Sequence, residues 1–123
     1  MRKKILVADD EPDIARTISI MLESEGYDVI TAGDGQDAIN KVYTDCPDLI
    51  ILDLLLPLAD GREVASTLKI DQRSRNIPII FITAQTQKND KEALKNSPAE
   101  FCIFKPFDLD VLKDRIENIL KPA

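Results

Sequence analysis

Four apolar runs in this chain each end on a polar group. Ile5-Leu6-Val7-Ala8 meets Asp9-Asp10-Glu11, and Leu49-Ile50-Ile51-Leu52 meets Asp53. Ile79-Ile80-Phe81-Ile82 meets Thr83, and Phe101-Cys102-Ile103-Phe104 meets Lys105-Pro106. The runs are continuously apolar rather than alternating, as strands buried on both faces are. They predict strands over about 4–8, 48–52, 78–82 and 100–104, with a fifth over 28–32. Helical spacing fills the gaps, over about 12–25, 35–45, 61–69, 88–96 and 108–120. Ile14, Ile18, Met21 and Leu22 share one stripe; Leu109, Leu112, Ile116, Ile119 and Leu120 share another. Pro12 suits a first helical turn. Gly26 suits the left-handed residue that stops a helix. Asp108 suits an N-cap.

Strands alternating with helices predict an α/β fold, a parallel sheet covered on both faces by right-handed crossovers. In open sheets of this kind, ligands bind beyond the carboxyl ends of the strands, where strand order reverses. The polar groups that end the runs would collect there. A chain of 123 residues predicts one domain over 1–123, with its core over 3–120. No repeat, linker or low-complexity segment interrupts it, and 121–123 reads as a tail.

Charge narrows the function. Sixteen basic residues against 22 acidic ones give a net charge of −6. That balance disfavours binding to nucleic acid and to anionic membrane surfaces. Arg2-Lys3-Lys4 and the four apolar residues after them are too short for a signal peptide. No apolar run approaches the roughly 20 residues of a membrane span. Cys46, before a strand, and Cys102, within one, read as reduced thiols of a cytoplasmic protein. The chain has no histidine, so it carries no phosphate on histidine and has no imidazole base or metal ligand.

Asp9, Asp10 and Asp53 would bring three carboxylates together. Two such charges 4 Å apart repel by about 4 kcal/mol at an effective dielectric of 20. A hard divalent cation offsets this, and Mg²⁺, with Mn²⁺ as a substitute, suits one or two carboxylates plus water. Lys105 adds a compact positive charge for a phosphoryl oxygen. Thr83 adds a hydroxyl donor, and the small Ala84 leaves room for an incoming group. Singly, each feature has an ordinary structural reading. Acids after a strand complement a helix dipole, threonine often ends strands, and Lys-Pro is a common turn. Asp53 is harder to dismiss, because a carboxylate among apolar neighbours needs compensation. Gly61 reads as a loop glycine close to the site. Gly33-Asp34-Gly35 is a turn without the spacing of a nucleotide-binding loop.

Val7-Ala8-Asp9-Asp10-Glu11-Pro12, Leu52-Asp53-Leu54 with Pro57 and Gly61, Ile82-Thr83-Ala84, and Lys105-Pro106-Phe107 resemble, in order and spacing, the receiver domain of two-component response regulators. The likeness spans residues 3 to about 120. It implies a flavodoxin-like (βα)5 fold with strand order 2-1-3-4-5 and a cis bond before Pro106. It implies that Asp53 accepts a phosphoryl group from a sensor histidine kinase or a histidine phosphotransfer protein. Asp10, Asp53 and the Leu55 carbonyl would ligate Mg²⁺, with Asp9 acting mainly through water. Lys105 would pair with the phosphoryl oxygens. Thr83 and Ala84 would report to an output face on the fourth helix, last strand and last helix, read by a downstream protein or effector domain. Ile14 resembles a kinase-facing contact, with core packing as the alternative.

The chain departs from the family at Cys102, three residues before the lysine, where an aromatic ring usually stands. Phe101 and Phe104 flank that position without sharing it. Leu55 and Gln85 occupy the places that tune phosphate lifetime, and Leu55 cannot orient water, so a lifetime of minutes or longer is expected. The pattern uses the whole chain, which suggests a stand-alone regulator or a piece of a longer protein. The rival readings are a haloacid-dehalogenase-type phosphotransferase, which needs a second acid where Leu55 stands; a flavodoxin-like carrier, whose phosphate Asp9-Asp10-Glu11 would repel; and a receiver used only for binding.

Overall fold

The computed structural model describes residues 2–57, 60–83 and 99–121. Five parallel strands, β1 (Lys4–Ala8), β2 (Asp28–Ala32), β3 (Leu49–Asp53), β4 (Ile79–Thr83) and β5 (Phe101–Phe104), pair in the order β2-β1-β3-β4-β5. The described helices are α1 (Pro12–Ser24), α2 (Gly35–Asp45), α3 (Gly61–Ile70) and α4 (Leu109–Leu120). The helix expected over 88–96 lies outside the described residues, as do Ala84 and Gln85.

The predicted stops are in place. Pro12 opens α1, and Gly26 follows it with φ of 91°. The Asp34, Asp60 and Asp108 carboxylates accept the amides of Asp37, Arg62 and Asp110, capping α2, α3 and α4. Cys46 is more than a residue before a strand. It ends α2 in the left-handed region at φ 48°, where glycine would ordinarily stand. Both cysteines are free thiols.

The helices divide between the two sheet faces as the apolar stripes require. Ile18 and Leu22 of α1 and Leu112 and Ile116 of α4 pack with Ile5, Val7, Ile51 and Ile80. Ala38 and Val42 of α2 and Val64, Ala65 and Leu68 of α3 pack with Leu6, Ile50, Leu52 and Phe81 on the other face. Each fully buried Leu or Ile contributes about 1.5–3 kcal/mol, so both faces hold the sheet rigidly beneath its carboxyl edge. At the opposite edge, Lys69 donates to the Ile77 carbonyl (2.8 Å) and to Glu100 (3.0 Å), fixing the starts of β4 and β5. β3 and β4 each run one residue past the predicted ends. Asp53 and Thr83 are therefore the last strand residues, held by the ladder instead of standing on a loop.

Candidate functional site

Register carries the predicted groups to one place. Ala8 pairs with Leu52, Asp53 with Ile82, and Thr83 with Phe104. Asp9, Asp53, Thr83 and Lys105 thus stand at the carboxyl edge of four adjacent strands. The Lys105 amide donates to the Thr83 carbonyl at 2.7 Å, and the Lys105–Pro106 bond is cis. The Lys105 ammonium lies 3.1 Å from Asp9 Oδ2, 3.1 Å from Asp53 Oδ2 and 3.0 Å from Glu11 Oε1. Asp9 Oδ1 accepts the Glu11 amide (2.9 Å), and Asp53 Oδ1 accepts the Leu55 amide (3.0 Å).

The acids are not equivalent. The Asp9 and Asp53 side chains are 0% and 3% exposed, whereas Glu11 is 56% exposed. Asp10 is exposed beside them. Asp9 Oδ2 is buried and, among the described residues, accepts no hydrogen bond; its contact with Lys105 is an ion pair without hydrogen-bond alignment. One carboxylate oxygen from each of Asp9, Asp10, Glu11 and Asp53 lies within 4.8 Å of the others. An orphaned buried oxygen among four acids suits a hard cation with oxygen ligands, so the cluster could hold a metal ion.

The structure brings Asp9, Asp10, Asp53 and Lys105 together, and with them Glu11, which the sequence places among the acids after β1 but to which it gives no contact with the lysine. The adjacency of Glu11 to the aspartate pair was the available signal. Leu55 contributes its amide, and its side chain is exposed. Thr83 is fully buried. Cys102 is half-buried, and register places Phe104, rather than Cys102, beside Thr83.

Burial pushes the Asp9 carboxyl up to about 6, helped by the Asp53 charge and opposed by the Glu11 amide and Lys105. Burial alone would lower the Lys105 pKa. Its hydrogen bonds to Glu11 and Asp53 and its ion pair with Asp9 outweigh that and hold it above the ordinary lysine value, so it stays an ammonium. Burial raises the Cys102 thiol, opposed by Arg62.

The Asp9 shift has a definite sign. Its folded pKa lies above the ordinary 3.8, so the folded state binds the proton more tightly. That contribution is complete below pH 4 and is lost as pH rises through about 6. The loss by pH 7 is on the order of 3 kcal/mol. Without metal, wild type should lose melting temperature between pH 4 and 7, and Asp9→Asn should lose much less. Equal slopes for the two proteins would contradict the assignment.

Gly61 sets the backbone under the site. A Cβ there would fall 2.7 Å from the Asp53 carbonyl oxygen and 2.7 Å from Leu54 Cα. The Gly61 amide donates to the Leu54 carbonyl at 3.0 Å. Alanine must push the segment that carries Asp53 and the Leu55 amide. Gly61→Ala should cost about 1–3 kcal/mol. Gly33→Ala, where a Cβ meets nothing within 4 Å, is the control in a urea titration; equal losses would show that the close approach is unimportant.

The sequence profile of the response regulator receiver domain matches residues 5–117. The chain belongs to that family. It is 42% identical over 121 residues to the alkaline phosphatase synthesis transcriptional regulatory protein PhoP of Bacillus subtilis, covering 98% of this chain and 50% of that protein. It is 41% identical over 118 residues to the response regulator ArlR of Staphylococcus aureus, covering 96% of this chain and 52% of that one. This receiver thus spans about half the length of the curated relatives it matches.

Among solved structures, the chemotaxis response regulator CheY4 of Vibrio cholerae superposes with a TM-score of 0.89 at 29% identity, covering 98% of this chain and all of that one. The receiver domain of sensor histidine kinase PA1611 from Pseudomonas aeruginosa, solved with magnesium coordinated in its active-site cleft, gives 0.89 at 27% identity, covering 99% and 100%. The phosphotransferase and flavodoxin-like carrier readings fall with this result. Among the described residues, no helix is long and apolar enough to cross a membrane.

Proposed function

We propose that this receiver accepts a phosphoryl group on Asp53 from a phosphohistidine of a sensor histidine kinase or a histidine phosphotransfer protein. The observation that carries the reading is a buried strand-end carboxylate, gripped by Lys105 and the Leu55 amide, beside an orphaned oxygen of Asp9. Asp9, Asp10 and Asp53, with the Leu55 carbonyl, are the groups that would hold Mg²⁺, with Mn²⁺ as a substitute. When bound, the cation supplies positive charge against the carboxylates and phosphoryl oxygens.

The carboxylate of Asp53 attacks phosphorus, and a new O–P bond forms as the P–N bond to the donor imidazole breaks. The imidazole nitrogen keeps the electron pair and takes a proton from water. Once the acyl phosphate has formed, Asp53 has lost its charge, and the Lys105 donor that bonded it is available to a phosphoryl oxygen. The Thr83 hydroxyl donates to another. The amide–carbonyl bond between Lys105 and Thr83 couples their movements. Thr83, Ala84 and Cys102 then pass the change to the output face, which a downstream protein or effector domain reads. The chain catalyses only its own phosphorylation and dephosphorylation, as one domain over 1–123 in the cytoplasm. Ile14, the expected kinase contact, lines a groove of about 590 Å³ with Ile18, Pro106, Phe107 and Leu109 beside Lys105.

Incubation with Mg²⁺ and acetyl phosphate should add one phosphoryl group, mapped by mass spectrometry to the peptide carrying Asp53. A folded protein that gains none there would support the binding-only reading instead. The exposed Leu55 side chain offers nothing to orient water, so without a phosphatase the phosphate should persist for minutes or longer. Decay within seconds would contradict that.

A further inference from the structure

We infer that Glu11 is a positioning residue that restrains phosphoryl transfer: its carboxylate holds the Lys105 ammonium away from the incoming group and must release it. The inference rests on Asp53 as the phosphoacceptor.

An ammonium has three donors, and here three carboxylates surround it, at 3.1, 3.0 and 3.1 Å. Two of its donors are hydrogen-bonded, to Glu11 and Asp53, and the third side faces Asp9 in an ion pair, so a phosphoryl oxygen that approaches before Asp53 loses its charge must displace one of the three. Asp9 and Asp53 are poor candidates. Both side chains are buried, and each has its other oxygen tied to a backbone amide. Glu11 is the exposed partner, and an exposed ion pair holds weakly. It is also the residue just outside α1, with extended backbone and no side-chain cap bond to keep it in place.

Charge points the same way. The Glu11 carboxylate lies within 4.8 Å of those of Asp9, Asp10 and Asp53. A phosphoryl donor brings further negative charge to that spot. Glu11 therefore opposes transfer twice, by repelling the donor and by occupying the lysine. Only the second effect passes through Lys105, and this separates positioning from simple repulsion.

The test measures phosphorylation by acetyl phosphate at saturating Mg²⁺ in wild type, Glu11→Gln, Lys105→Met and the double variant. Glu11→Gln should be faster by about two- to fivefold, and the gain should vanish in the Lys105→Met background. A gain of the same size in both backgrounds would mean repulsion alone and would overturn the inference. So would a Glu11→Gln protein that is unchanged or slower. A second measurement needs no lysine variant. The Nζ resonance of Lys105 in lysine-labelled protein should shift on Glu11→Gln, and a resonance that stays put would show the contact absent. If wild type takes no phosphate on Asp53, the parent reading has failed, which is a distinct result.

Discussion

Lys105→Met, in metal-free buffer at pH 7, is expected to lose about 3 kcal/mol of stability in a urea titration. The ammonium is the cation that faces Asp9 and Asp53, at 3.1 Å from each. Without it, two buried carboxylates confront each other with no other cation beside them among the described residues, and methionine fills the stem's volume without supplying charge. The expected loss is at the low end of the range for a broken buried ion pair, because the pocket opens to water at Asp10 and Glu11. Two further readings follow. The loss should shrink at pH 5, where Asp9, already pushed up to about 6 in wild type, takes a proton. Added Mg²⁺ should raise the melting temperature of the variant more than that of wild type, since bound cation stabilises by mass action. A variant as stable as wild type at pH 7 would show that Lys105 is not what balances the acids.

Asp53→Asn should abolish phosphate incorporation completely, because an amide cannot form the acyl phosphate. It should also make the metal-free protein more stable, by about 1 kcal/mol. Among the described residues, four carboxylates share the pocket with one ammonium, so negative charge is in excess there. Removing one acid relieves repulsion, but the lost attraction to Lys105 cancels most of the gain. Asparagine keeps an oxygen for the Leu55 amide that now bonds Asp53 Oδ1. The Asp53 charge also helps raise Asp9, so the Asp9 titration should move down in the variant. The increment in melting temperature on adding Mg²⁺ should fall. A metal-free Asp53→Asn protein that melts below wild type would contradict the crowding of ionised acids.

The strand runs, the helix stripes, the turn at Gly26 and the polar group at each strand end were all legible in the chain. They are local: side-chain period and backbone preference are set by a residue and its near neighbours. Because parallel strands buried on both faces must end on the same edge, local pattern was enough to gather Asp9, Asp53, Thr83 and Lys105. The order of the strands and the cis bond before Pro106 followed from family resemblance rather than from spacing.

What local pattern could not decide is how those groups face one another. Asp9 and Asp10 are adjacent and chemically identical, yet one is buried and the other exposed; Asp9 is still tied to the sheet, its amide donating to the Ala32 carbonyl just past the β1–β2 pairing. Glu11 turns back onto a lysine 94 positions away. Gly61 is required by the backbone of Asp53 and Leu54 pressing against it, and the β4–β5 register, rather than distance along the chain, puts Phe104 beside Thr83. Sequence determined which chemical groups reach the edge of the sheet. Only non-local packing decided which oxygens are desolvated and which acids share the ammonium, since both depend on contacts between segments far apart in the chain.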